Sequence, residues 1–173
     1  VTDTFAVQLN SVADNPLVSG TDAPIELTES GEWQDLAGFQ IASGEDQHFS
    51  EEVYALIRNV PGDVGLRIVD SNGNELFDQL VLADTDGSTT DWRIDNETLQ
   101  KIDSGEYRIQ LKTPDVDMSG SIEFGIRVTV LDLDPDSGQQ TDTLVSDHTM
   151  TIVVEPDVES YGDSQSSGNE DEW

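Results

Sequence analysis

Side chains alternate between apolar and polar over residues 121–131, and this period of two constrains the fold more than any other feature. Successive side chains of a β-strand point to opposite faces, so the alternation predicts a strand with one buried face. The residues expected on that face are Ile122, Phe124, Ile126, Val128 and Val130. Long helical periodicity is nearly absent, and we therefore expect an all-β chain.

The same pattern recurs elsewhere in the chain. Alternating apolar positions are Tyr107, Ile109 and Leu111, then Met150, Ile152 and Val154, with shorter strands at Leu66–Ile68 and Leu80–Leu82. Residues 53–57 are continuously apolar, which predicts a central strand buried on both faces. Turn signals such as Pro61-Gly62, Asp86-Gly87 and Ser137-Gly138 separate these runs. Many short strands with frequent turns predict an antiparallel β-sandwich. A single helical turn is expected at residues 96–102, with Asn96 as its N-cap.

The two ends of the chain differ from its middle. Residues 4–10 form an expected strand that Asp14-Asn15-Pro16 breaks, and residues 149–155 form one that Pro156-Asp157 breaks. This echo predicts the terminal strand of a preceding repeat plus a linker over residues 1–21, and a sandwich domain over residues 22–157. Residues 158–173 are rich in Ser, Gly and acids, and we expect a flexible acidic tail or the start of a following domain.

Charge restricts the partners of this chain. The sequence has 37 acidic and 7 basic residues, a formal net charge of −30. Nucleic-acid binding is excluded because it needs Lys and Arg to neutralise phosphates, and attachment to anionic lipid surfaces is disfavoured. No apolar stretch approaches the roughly 18 residues that span a bilayer. Two explanations stay open: carboxylates that bind calcium, or an acidic surface that maintains solubility.

Five segments, in this order, resemble the immunoglobulin-like and cadherin-like repeats of RTX adhesins, which are large calcium-dependent surface and biofilm proteins of bacteria. They are Leu9–Pro16, Val60–Val64, Asp91–Ile94 with Leu99, Thr113–Asp115 with Ser119–Ile122, and Val128–Asp134. The resemblance covers roughly residues 5–158 and implies an immunoglobulin/cadherin-like sandwich of about eight or nine strands. It departs at residues 43–52, where the paired aspartates usual in the family are missing.

The resemblance also implies a function and a location. We expect a calcium-stabilised structural and adhesive module of a secreted protein, extracellular and at the bacterial cell surface, with Ca²⁺ as its cofactor. Its expected partners are neighbouring domains of the same long chain, and we expect a monomer without membrane insertion. The alternative is a ligand-binding module near the adhesin tip, which would recognise a peptide or glycan on a host surface.

Three acidic clusters are candidate calcium sites. Calcium takes 6–8 oxygen ligands, so each cluster would need contributions from several segments. The first contains Asp132, Asp134 and Asp136, with Glu51 or Glu52 as the partner that the resemblance implies; the second contains Asp84, Asp86 and Asp91; the third contains Asn10 and Asp14 in the linker. The competing interpretations are a solvated hairpin loop, an Asp-Gly turn and a plain linker, respectively.

Catalysis is not expected. Asp147 and His148 next to one of the many serines would make a triad, but no Gly-x-Ser-x-Gly motif exposes a nucleophile. Four arginines lie in predicted strands, where they either pair with acids across strands or gather to bind an acidic group. They are Arg58, Arg67, Arg108 and Arg127.

Overall fold

The computed structural model describes residues 12–42, 51–114, 119–134 and 136–156. The expected strand at residues 4–10, the candidate ligand Asn10 and the acidic tail lie outside these ranges. Within them the chain forms eleven strands and one helix. They are β1 (Leu17–Ser19), β2 (Ile25–Thr28), β3 (Trp33–Asp35), β4 (Gln40–Ala42), β5 (Glu51–Pro61), β6 (Gly65–Asp70), β7 (Val81–Asp86), β8 (Thr89–Ile94), α1 (Asn96–Asp103), β9 (Tyr107–Lys112), β10 (Gly120–Leu133) and β11 (Gln140–Glu155).

The strands form an all-β, sandwich-like fold, as the alternation predicted. One sheet has six strands in the order β2-β11-β10-β5-β8-β7, a second has the order β3-β9-β6, and β1 pairs with β4. The described residues thus contain more strands than the expected eight or nine. One pair also departs from the antiparallel expectation, since β2 runs parallel to β11. These two strands are distant in sequence, so no hairpin forces them to be antiparallel.

The core lies between the six-stranded and three-stranded sheets. The five apolar positions of β10 are each at most 4% exposed, which confirms the alternation. Met150, Ile152 and Val154 of β11 extend the same buried face, and Ile109 and Leu111 of β9 pack into the same cluster from the other sheet. Each such side chain contributes about 1.5–3 kcal/mol when fully buried.

Two local expectations need correction. β5 is central in its sheet, but within residues 53–57 only Val53, Ala55 and Ile57 are buried while the residues between them are half-exposed, so this part of the strand alternates. The helix starts at Asn96, but its N-cap is Asp95, whose carboxylate accepts a 2.9 Å hydrogen bond from the Thr98 amide. Propensity ranks Asp and Asn about equally as caps, so composition alone does not place the cap to one residue.

Residues 12–21, the described part of the segment before residue 22, contact the sandwich. β1 pairs with β4 over Leu17–Ser19, although these residues were expected to belong to a linker. Ala13 is buried and belongs to the core cluster. The described part of the N-terminal segment therefore packs on the domain at the end where β5 begins and β10 ends.

Candidate calcium site

Three carboxylates lie side by side at one end of the six-stranded sheet. β10 is flanked by β5 and β11, and the registers place Asp132 opposite Glu51 on one side and opposite Asp142 on the other. We call Glu51, Asp132 and Asp142 the acidic row. It brings together two residues that the sequence pointed to and one that it did not.

All three members of the acidic row face the core side of the sheet. Each lies two residues along its strand from an inward-facing apolar side chain: Val53, Val130 and Leu144. Side chains two apart in a strand share a face, so the acidic row continues the core rows to the end of the sandwich. It therefore occupies positions where apolar residues would ordinarily stand.

The acidic row is substantially buried. Asp132 is 0% exposed, and its Oδ2 accepts a 2.8 Å hydrogen bond from the Thr141 hydroxyl. Oε2 of Glu51 is also buried, and it finds no hydrogen-bond partner among the described residues. A buried carboxylate oxygen without a donor is costly, and a cation or a hydrogen-bond donor bound there would reduce that cost.

The N-terminal segment closes over this end of the sheet. The amide of Ala13 donates to Oδ2 of Asp142 at 3.3 Å, and the amide of Asp14 donates to Oε1 of Glu51 at 3.0 Å. Asp14, a predicted ligand, thereby lies next to the acidic row. This hydrogen bond comes from the backbone amide of Asp14 and does not involve the Asp14 carboxylate.

The donor chemistry of the acidic row fits calcium. Like charges directly opposite each other across strands are destabilising, and a divalent cation would convert that repulsion into attraction. No three acidic or histidine side chains within the described ranges are already arranged to hold an ion by themselves. Glu51, Asp132 and Asp142 would therefore have to rotate towards a shared ion, which would need further oxygens to complete 6–8 ligands.

Asp134 and Asp136, predicted with Asp132 as calcium ligands, lie in the turn between β10 and β11. Oδ1 of Asp134 accepts hydrogen bonds from the amide and hydroxyl of Ser137, at 2.7 and 2.9 Å, and from the amide of Asp136 at 3.0 Å. These bonds, led by the Ser137 amide, lower the pKa of the Asp134 carboxyl. Asp134 thus organises the turn between β10 and β11, and Asp136 is exposed in that turn.

Glu52 does not join the acidic row. It is exposed on the opposite face of β5 from Glu51 and pairs in register with Leu131. The resemblance implied Glu51 or Glu52 as the partner of Asp132, and the register favours Glu51.

The second predicted cluster lies on the β7–β8 hairpin. Asp84 and Asp91 are opposite each other in register, and Asp86 faces Thr89. Asp91 already accepts a 2.8 Å hydrogen bond from the Asn59 amide and lies 3.5 Å from Nε of Arg58. Because Asp91 already has protein donors, the calcium site at Asp84, Asp86 and Asp91 stays a prediction.

Asp142 was missed because the last strand starts earlier than predicted. The alternation in residues 149–155 extends backwards in phase from Met150 through His148, Ser146 and Leu144 to Asp142. The positions from Asp142 to His148 on this face are half-buried. Three of the four are polar, so the sequence does not alternate clearly between apolar and polar residues there.

Of the four arginines predicted in strands, three pair with acids across strands, and Arg67 pairs with Glu75 in the β6–β7 connection. The pairs are Arg58–Asp91, Arg67–Glu75, Arg108–Asp35 and Arg127–Asp147. Asp147 is thereby engaged by Arg127 in two hydrogen bonds of 2.8 and 3.0 Å. His148 instead contacts the Ser146 hydroxyl at 3.1 Å.

Comparisons with known proteins find only distant likenesses. No protein-family model and no curated protein matches the chain. Among solved structures it is similar to AvmM, which catalyses macrocyclization in alchivemycin A biosynthesis, at 12% identity over 84% of this chain and 92% of that one, with a TM-score of 0.42. It is also similar to AggA, the major subunit of aggregative adherence fimbriae type I from Escherichia coli, at 10% identity over 85% and 100% of the chains, with a TM-score of 0.40. It is similar to MyfA, the major subunit of Myf fimbriae from Yersinia enterocolitica, at 15% identity over 80% of this chain and 98% of that one, with a TM-score of 0.32. Likenesses this distant assign no function to this chain.

No helix in the described ranges is long and apolar enough to cross a membrane.

Proposed function

We propose that this chain is a structural and adhesive module of a secreted bacterial surface protein of the RTX-adhesin type, stabilised by calcium. The observation that carries the proposal is the acidic row, in which Asp132 is 0% exposed and lies between two other carboxylates in register. A β-sandwich without cysteine has no disulfides to support it outside the cell, so a bound cation would supply that stability.

Calcium would act on folding by linkage. The acidic row exists only when β5, β10 and β11 are paired, so an ion held there binds the folded chain and not the unfolded one. A ligand of this kind at a hundred times its Kd adds about 2.7 kcal/mol to the free energy of unfolding. Extracellular modules bind calcium with Kd values of about 10⁻⁴–10⁻³ M, so even a weak site is occupied outside cells.

Calcium would also fix the N-terminal segment. Glu51 and Asp142 hold the amides of Asp14 and Ala13, so immobilising these two carboxylates immobilises the chain that leads into the domain. In a tandem array this segment joins one module to the preceding one. An ion here would stiffen the junction and give the extended, rod-like form that a surface adhesin needs.

Calorimetric titration of calcium into the metal-free protein tests the site. We expect the wild type to bind, and Asp132→Asn and Asp142→Asn to lose at least tenfold in affinity, because each removes a full charge from the acidic row with little change in shape. Glu52→Gln is the matched control, since it removes one charge from the opposite face of β5 and should leave the affinity within about twofold.

Equal affinity in all four proteins would place calcium elsewhere and refute the assignment of the acidic row. Absence of binding in the folded wild type would overturn the calcium dependence altogether. Circular dichroism of each variant separates loss of a ligand from loss of fold.

A further inference from the structure

β7 leaves one flank of the sandwich open. It is the last strand of the six-stranded sheet and pairs only with β8 among the described residues. All six of its side chains are exposed, including Val81 at 54% and Leu82 at 55%. An unpaired edge with exposed apolar side chains presents a row of backbone donors and acceptors to another strand.

An apolar groove lies beside this edge, between the two sheets. It has a volume of about 190 Å³, and its walls include Leu66 and Ile68 of β6 and Trp92 of β8. Phe77, which is 78% exposed, and Leu76 line it from the β6–β7 connection, and the Arg67–Glu75 ion pair forms one part of its wall. Leu82 pairs in register with Trp92, so Leu82 faces the same side as the groove. The inner side of the edge is therefore mainly apolar.

The outer side of the same edge has two acidic residues, Asp84 and Asp86, which follow Val81, the partner of Arg93 in register. A register shift between Leu82 and Asp84 interrupts the alternation of β7. Asp84 therefore pairs with Asp91, the neighbour of Trp92 in β8, and faces away from the groove. Asp86 pairs with Thr89 and lies on the same outer side. Asp91 has Arg58 as its partner, whereas no cation of the described residues pairs with Asp84 or Asp86.

We propose that β7 is a docking edge for an extended segment of a partner protein in which apolar and basic residues alternate. Such a segment would add a seventh strand to the sheet by main-chain hydrogen bonds. Because side chains alternate along a strand, its apolar residues would enter the groove beside Leu82 while its Lys or Arg residues would face Asp84 and Asp86. Charge selects this partner over a second copy, since two chains of −30 repel each other.

The probe is a short, acetylated and amidated peptide that alternates lysine with valine, titrated into isotope-labelled protein and followed by amide chemical shifts. We expect the largest shifts in residues 81–86 and around the groove. A glutamate–valine peptide and a scrambled lysine–valine peptide should bind at least about tenfold more weakly, because they lack the charge and the alternation, respectively.

Variants separate the edge from general attraction to an acidic protein. Asp84→Lys with Asp86→Lys should weaken binding of the lysine–valine peptide by about tenfold and permit binding of the glutamate–valine peptide. Glu26→Lys with Glu123→Lys is the control, because it makes the same change in net charge at exposed positions of β2 and β10. Leu82→Asn should also weaken peptide binding, because it removes an apolar side chain beside the groove without changing the net charge.

Equal effects of the two charge-reversal pairs would overturn the proposal, because binding would then reflect only the net charge. Peptide-induced chemical-shift changes outside β7 and the groove would also overturn the proposal. So would dimers in sedimentation that Leu82→Asn abolishes, because the edge would then be a contact between copies of this chain. The peptide titrations are repeated with and without calcium, so that an effect of calcium at the acidic row can be distinguished from peptide binding at β7.

Discussion

At the scale of single residues, Asp132 has the most unusual surroundings in the described part of the chain. It is fully buried, yet its cross-strand neighbours are Glu51 and Asp142. Thr141 donates one hydrogen bond to it, and one oxygen of Glu51 remains without a described donor. Such a set of charges lowers the stability of the metal-free fold and raises the affinity for a cation.

Glu51→Gln should therefore change stability in opposite directions with and without calcium. In EGTA we expect the variant to be about 0.2–1 kcal/mol more stable than the wild type, because one of the opposed like charges is gone. With calcium in excess it should be less stable, because a ligand is lost. Urea unfolding in both buffers measures this, with Glu52→Gln as the control. A loss of stability of the same size in both buffers would contradict the account.

Asp134 predicts a pH dependence of a different origin. Hydrogen bonds from Ser137 and Asp136 hold the pKa of Asp134 below its usual value in the folded state. A carboxyl whose pKa is lowered by folding contributes stability above its unfolded pKa, and this contribution disappears as the pH falls through the folded value. Asp134→Ala should therefore be less stable than the wild type at neutral pH, and the difference should shrink below about pH 4.

Urea titrations at a series of pH values, in calcium throughout, measure the difference for Asp134→Ala. Asp136→Ala removes a charge from the same turn and controls for general electrostatics. A difference that does not change between neutral and acid pH would mean that the turn does not depend on the ionised Asp134.

At the scale of elements, helix α1 depends on its cap. Asp95 accepts the Thr98 amide, and the buried side chains Leu99 and Ile102 attach the helix to the core. Asp95→Ala should reduce the free energy of unfolding by about 1 kcal/mol, as loss of an N-cap typically does. Gln100→Ala, exposed in the same helix, should change it by less than about 0.5 kcal/mol. Chemical denaturation of both variants checks this, and equal effects would refute the assignment of Asp95 as the cap.

Elements with strong alternation were predictable, and those with mixed patterns were not. The buried face of β10 followed directly from Ile122 to Val130 because all five positions are apolar. The first half of β11 was missed because polar residues such as Asp142 and His148 occupy its inward positions. Leu80 is buried but Leu82 is 55% exposed, since β7 is an edge whose inner side lacks a covering strand.

The candidate site was only partly predictable for the same reason. The resemblance pointed to Asp132 and to Glu51 or Glu52, and strand register then distinguishes the two glutamates. Register depends on which strands become neighbours, and one sequence does not specify that. Asp134 was predicted as a ligand because its spacing from Asp132 is two, but its carboxylate is used by the turn.

At the scale of the whole molecule, an acidic chain folds around a single apolar core. The core cluster draws on both main sheets and on α1, and the full sequence has a formal charge of −30. Repulsion of this size opposes the compact state, and cations relieve it both by screening and by specific binding. Only specific binding distinguishes calcium from an equal ionic strength of another salt.

The measurement that tests the central claim most directly is thermal unfolding in calcium at a hundred times the Kd obtained from the calorimetric titration, and then in excess EGTA, with magnesium and ionic strength held constant. If calcium occupies the acidic row, we expect the midpoint to rise by at least about 5 °C with calcium, the shift that about 2.7 kcal/mol produces in a domain of this size. An unchanged midpoint would mean that the carboxylates form only a solvated acidic surface, and both the calcium site and the stiffened junction would have to be abandoned.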